Sequence, residues 1–221
     1  RHFSYIVGGQ ERYVANQWRL RPGVYVREGA KDGEIKAQFQ LAKGKPFNIT
    51  QGAAGEMVMN VSGSSRKIPA YAVLQAMGVT DKQMEGAWGE DVFAASQKKS
   101  NIAKDLPSFV KVFSGLDLRE GDDPAQITKD LFAETKMDPV IAQMNLKTHS
   151  PVVDKNVLLN ATRKVVDVAA GRVKPDPIDS LRYKELWTTK DHMVQRMARA
   201  KDTITRRVQS KFRHQHATAA A

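Results

Sequence analysis

A chain of 221 residues is long enough to bury a sizeable core and corresponds to one or two domains. Its 35 Lys and Arg against 24 Asp and Glu give a net charge of +11, which favours a polyanionic partner, usually nucleic acid, and speaks to association rather than to fold. The absence of cysteine excludes disulfides and thiolate metal sites and suits a cytoplasmic protein, and no apolar run is long enough for a membrane span.

The chain opens on its densest local signal. Tyr5-Ile6-Val7 and Tyr13-Val14-Ala15 flank Gly8-Gly9-Gln10-Glu11, which predicts a strand, a tight turn and a strand. A basic-aromatic cluster follows, Gln17-Trp18-Arg19-Leu20-Arg21, then a Pro22-Gly23 turn and a third strand from Val24. Because Arg1 leads straight into this pattern, the chain is expected to be a piece of something longer. Ile35, Ala37, Phe39 and Leu41 alternate with polar residues, a half-buried strand. Residues 44–55 read as loop, and 56–61 as another strand.

The period then changes from two to helical. Pro69 takes a first helical position, with Tyr71, Leu74 and Met77 on one face and Gly78 as the stop. Thr80 and Gln83 form a capping box for a second short helix holding Met84 and Trp88. Residues 90–121 read as irregular structure with short helices. Asp123-Pro124 starts a helix to about Lys136 that buries Ile127 and Leu131. Asp154 caps a helix to Ala170, with Val157, Leu158, Ala161, Val165 and Val168 on one face. Residues 172–187 form a connector. A last helix runs from about Thr189 to Phe212, with Met193, Met197, Ala200, Ile204 and Val208 as its buried stripe. The expected class is α+β: an N-terminal antiparallel β segment, a mostly helical body, and a long basic amphipathic helix at the end.

From Thr188 onward there are eight basic and two acidic residues, +6 of the net +11. A solvated helix face and a phosphate-contacting face both fit that pattern. Asp167, Asp176 and Asp179 are better read as caps and ion pairs than as a metal cluster, and His214 and His216 lack supporting ligands. There is no phosphate-binding loop, nucleophile elbow or His-Glu-x-x-His, and no catalytic constellation assembles from the chain. Gly8-Gly9-Gln10 is similar to the peptidyl-hydrolysis loop of translation release factors, but it sits between apolar strands and reads as a turn.

Four segments, in order, carry a wider resemblance. Tyr5-Ile-Val-Gly-Gly-Gln-Glu-Arg-Tyr-Val-Ala-Asn-Gln17 followed by Arg21-Pro-Gly-Val24 resembles a signature of the second-largest (β) subunit of multi-subunit DNA-directed RNA polymerases. Arg66-Lys-Ile-Pro-Ala-Tyr-Ala-Val-Leu-Gln-Ala-Met-Gly-Val79, Ile127-Thr-Lys-Asp-Leu131, and the helix and connector from Leu158 to Trp187 resemble later segments of the same family. Two departures stand out. Where the family has Gly and paired basic residues, this chain has Arg182-Tyr183-Lys184-Glu185. The interval between first and last motifs is also far shorter than in cellular bacterial subunits, which points to a viral or phage enzyme.

The resemblance implies a position in a machine. Residues 1–27 would be a protrusion-like segment and junction, 28–175 a lobe-like domain, and 176–221 the return connector and basic helix of the protrusion. Together they would form one jaw of the DNA cleft, guiding DNA and bracing the cleft. Gln17 stands where the family's Gln lies near the rifamycin-type inhibitor pocket. The implied contacts to DNA and the RNA–DNA hybrid fall on Gln17, Arg19, Arg21, Arg182, Lys184, Arg199 and Arg206. No cofactor is expected in this piece, since the catalytic Mg is held by another subunit. The implied partners are the largest (β′-like) subunit and the rest of the β subunit, in the host cytoplasm or the virion. Two rival readings are a stand-alone basic nucleic-acid-binding protein without catalytic activity, and an unrelated enzyme with an unrecognised site.

Overall fold

In the computed structural model, residues 4–29, 33–115, 117–119, 121–198, 200, 201 and 205 are described. The class is α+β, and the chain divides into two compact units: residues 21–183, and residues 1–20 together with 184–221.

The first unit holds a five-stranded antiparallel meander, β4 (Gly23–Glu28), β5 (Ile35–Gln40), β6 (Phe47–Gln51), β7 (Met57–Val61) and β8 (Lys67–Pro69), in sequential order. Seven helices follow: α1 (Ala70–Ala76), α2 (Asp81–Trp88), α3 (Glu90–Lys99), α4 (Ile102–Ser114), α5 (Pro124–Ala133), α6 (Pro139–Leu146) and α7 (Lys155–Ala169). Alternation puts Ala37 and Phe39 of β5 inside, with Phe47 and Ile49 of β6 and Met57 and Met59 of β7. Helix α7 packs across β4, β5 and β6. Its N-terminus is fixed by the Asp154 carboxylate accepting from Val157 N at 2.8 Å. The Thr80–Gln83 capping box is complete, and α2 buries Met84 and Trp88, whose indole donates to Thr162 Oγ1 at 2.8 Å.

The helical side of this core is aromatic. Phe39 stacks on Phe47 (4.1 Å between centroids), and Phe132 of α5 sits 5.4 Å from Phe109, 5.5 Å from Phe113 and 5.8 Å from Phe47. The outer edge of β4 is closed without another strand. Asp176 accepts from Val26 N through Oδ2 (2.7 Å) and donates its own N–H to Val26 O (2.8 Å), while Asn145 Nδ2 donates to Val24 O (2.8 Å). Gly23 is required where α6 crosses β4, because a Cβ there would overlap the Ile141 side chain.

Several expectations need correction in this unit. Residues 44–55 contain β6, a central strand, rather than loop. Residues 90–121 hold two regular helices, α3 and α4, despite Pro107 inside the second. Helix α5 ends at Ala133 and buries Thr128 and Phe132, leaving Ile127 and Leu131 at the margin of the core. The helix α6 went unread.

Tyr25 is fully buried, donates to Arg21 O at 2.7 Å and meets the Tyr183 ring edge-on at 5.6 Å. Burial, and next the Asp138 charge, push its phenol well above the usual tyrosine range. A phenol raised in the folded state contributes stability that is complete below its unfolded pKa of about 10 and declines as pH rises beyond it. Urea unfolding at pH 8 and pH 10.5 should therefore show a lower midpoint at the higher pH. Tyr25→Phe should shrink that difference, at a cost of about 1 kcal/mol for the lost hydrogen bond.

The second unit comprises β1 (Ser4–Val7), β2 (Gln10–Tyr13), β3 (Gln17–Leu20), β9 (Lys184–Trp187) and a helical run over residues 189–198. Gly8 and Gly9 both have positive φ (62° and 74°), the twist that a two-residue hairpin between β1 and β2 demands. Strand β2 ends at Tyr13, so Val14 and Ala15 fall outside it. Strands β3 and β9 pair antiparallel, Gln17 opposite Trp187 and Leu20 opposite Lys184. Neither was expected to be a strand. Residues 200, 201 and 205 are also helical; the rest of the stretch expected to form a long basic helix lies outside the described residues. The expected buried stripe is corrected where it is described: Met193 is 52% exposed and Met197 62%.

Candidate nucleic-acid interface

The seven implied contact residues divide between the units. Arg21 and Arg182 belong to the 21–183 unit, Gln17, Arg19 and Lys184 to the other, and Arg199 and Arg206 lie outside the described residues.

Arg21 is held by its own unit. Its Nη2 is 2.7 Å from Asp138 Oδ2, and Asp138 also caps α6 by accepting from Val140 N. Arg21 N donates to Tyr183 O at 2.8 Å, so the two ends of the unit are joined at this residue. Its Nε has no hydrogen-bond partner among the described residues. The guanidinium is thus committed first to holding α6 on the sheet. Arg182 is exposed on a 3-10 turn, Leu181–Tyr183, and projects a cation into solvent.

In the other unit, β-pairing sets Gln17 opposite Trp187 and Arg19 opposite Glu185 on one face, while Lys184 stands opposite Leu20 at the far end of the ladder. The Arg19 guanidinium lies 4.3 Å over the Trp187 ring, and its Nη1 donates to Gln195 Oε1 at 3.3 Å. Trp187 Nε1 donates to Glu185 Oε1 at 2.6 Å. Gln17 is exposed. At the start of the helical run, Asp191 Oδ2 accepts from both the backbone N (2.9 Å) and Oγ1 (2.7 Å) of Thr188, one half of a capping box. Those bonds hold the Asp191 carboxyl below its usual range. Trp187, His192, Gln195 and Arg196 complete this surface and were not picked out from the sequence as partners of Arg19.

A basic cleft of about 630 Å³ also occurs in the 21–183 unit, between the end of α6, α7 and residues 173–177. Lys147, Arg163, Lys164 and Lys174 line it beside Asp167 and Asp176. Its carboxylates are engaged: Asp176 Oδ1 is 2.6 Å from Lys164 Nζ, and Asp167 Oδ1 is 2.8 Å from Arg172 Nη2. Among the described residues no cluster of three His, Cys, Asp or Glu is arranged to hold a metal, and no helix is long and apolar enough to cross a membrane. The arrangement offers cations and aromatic faces for binding.

No protein-family model matches the chain, and no curated protein matches it.

Proposed function

We propose that this chain is part of the β subunit of a multi-subunit DNA-directed RNA polymerase, contributing the lobe and the adjoining part of the protrusion to the jaw that guides DNA. The observation that carries the reading is the chain path. Residues 21–183 form a unit of their own, and the segments before and after it pair with each other through β3 and β9. A lobe inserted into a protrusion requires such a nested path. On this reading Gln17 to Val24 is where the chain leaves for the lobe, and Lys184 to Trp187 is where it returns.

The chain would act through position and charge. Arg182 and the basic helical segment would neutralise phosphates without reading bases, and the Mg-dependent chemistry would belong to the largest subunit. Transcription by such an enzyme would place it in the cytoplasm.

The test is salt dependence of DNA retention by the assembled enzyme. Replacing both Arg199 and Arg206 by Gln should weaken retention and lower the slope of log affinity against log salt by about 2, roughly 0.9 per lost phosphate contact. An unchanged slope would count against phosphate contact by these two residues.

A further inference from the structure

The 1–20/184–221 unit has ten large apolar side chains exposed, among them Ile6 (81%), Tyr13 (71%) and Met197 (62%), against no buried residue among those described. Exposed apolar side chains that are contiguous, rather than scattered, are where interfaces form. Part of this exposed surface is a recess of about 310 Å³ lined by Val14, Thr189, His192, Met193, Arg196 and Met197. Through Val14, His192 and Arg196 it continues into a second recess of about 550 Å³ reaching Gln17 and Arg19. The groove therefore runs from a thioether-lined apolar end to a cationic end, all within one unit.

We propose that this groove docks an acidic amphipathic segment of a partner protein, one that seats a large aliphatic side chain between Met193, Met197 and Val14 and sets carboxylates against Arg196 and Arg19. Charge complementarity selects the occupant. No carboxylate among the described residues lines either recess. Arg196 is exposed and makes no ion pair with a described residue. The Arg19 guanidinium lies over the Trp187 ring and donates to the Gln195 amide, with Glu185 its cross-strand neighbour held on Trp187 Nε1. His192 Nε2, on the wall shared by both recesses, has no hydrogen-bond partner among the described residues and would receive a polar group of the ligand. The apolar end argues for protein over nucleic acid, because a phosphodiester backbone has nothing to place on unbranched thioethers, whereas a leucine side chain does. The proposal stands whether or not the assembly is a polymerase.

The probe is a fluorescein-labelled 14-residue peptide with Leu at helical spacing and Glu elsewhere, titrated with the full chain and read by anisotropy. The same peptide with Lys for Glu, and a 14-mer of dT, serve as comparisons. The acidic peptide should bind at least tenfold more tightly than the Lys peptide. Met193→Glu with Met197→Glu should cost at least tenfold, and Arg196→Glu several-fold. Both substitutions are on exposed positions, and circular dichroism confirms that the variants fold. Equal binding of the two peptides, binding that survives the double substitution, or displacement by dT at equal concentration would overturn the proposal. So would sedimentation showing that the methionine pair instead holds two copies of this chain together.

Discussion

Phe132→Ala is expected to destabilise the 21–183 unit by about 4 kcal/mol, within the range for emptying a fully buried aromatic site. Phe132 has no exposed surface and lies within 6 Å, ring to ring, of Phe47, Phe109 and Phe113. It thereby joins β6, α4 and α5. The rigid rings around the vacated space relax poorly, which places the cost toward the upper part of that range. Phe132→Leu should recover roughly half of it. Urea unfolding followed by far-ultraviolet circular dichroism reads both values, and a loss below about 1.5 kcal/mol for the alanine variant would mean that the aromatic cluster is not packed as described.

The second large effect concerns charge. Lys164 and Asp176 form an ion pair at 2.6 Å with side chains only 15% and 7% exposed. Removing the cation alone strands a buried carboxylate, so Lys164→Met should cost about 3 kcal/mol. Asp176→Asn keeps an oxygen for Val26 N while removing the charge. The double substitution Lys164→Met with Asp176→Asn should therefore be more stable than Lys164→Met alone, by about 2 kcal/mol. A double-mutant cycle measures this coupling directly. Additive losses would show that Asp176 is anchored by the β4 backbone and not by Lys164.

What the sequence revealed follows the range of the forces involved. The hairpin glycines, the Thr80–Gln83 box and the Asp154 cap each act within a few residues, and each was legible. Strand β6 was hidden because Gly44, Gly52 and Gly55 surround Phe47-Asn48-Ile49-Thr50 and dilute its pattern, although two neighbouring strands fix it by hydrogen bonding. Helix α4 lacks a side-chain cap from Asn101, with Asp105 instead accepting from Asn101 N, and it carries Pro107; its start signal was correspondingly absent. The pairing of β3 with β9 joins four-residue strands more than 160 residues apart, for which no local pattern exists. The same holds for the site. Arg19 was visible as part of a basic-aromatic cluster, but Trp187 and Gln195 reach it only through that distant pairing. The amphipathic period of Met193 and Met197 was legible, but it was read as a buried stripe, and both side chains are exposed. Period alone does not say what covers such a face, and none of the described residues does.

The central claim, that this chain is a nested lobe and protrusion piece of a polymerase jaw, is tested most directly by affinity capture of the tagged chain from the cells that express it, with mass spectrometry of the intact complex. Co-purification in fixed stoichiometry with a larger β′-like subunit and the remaining β-subunit sequence is the expected result. Recovery of the chain as a stable monomer that binds DNA by itself would contradict it.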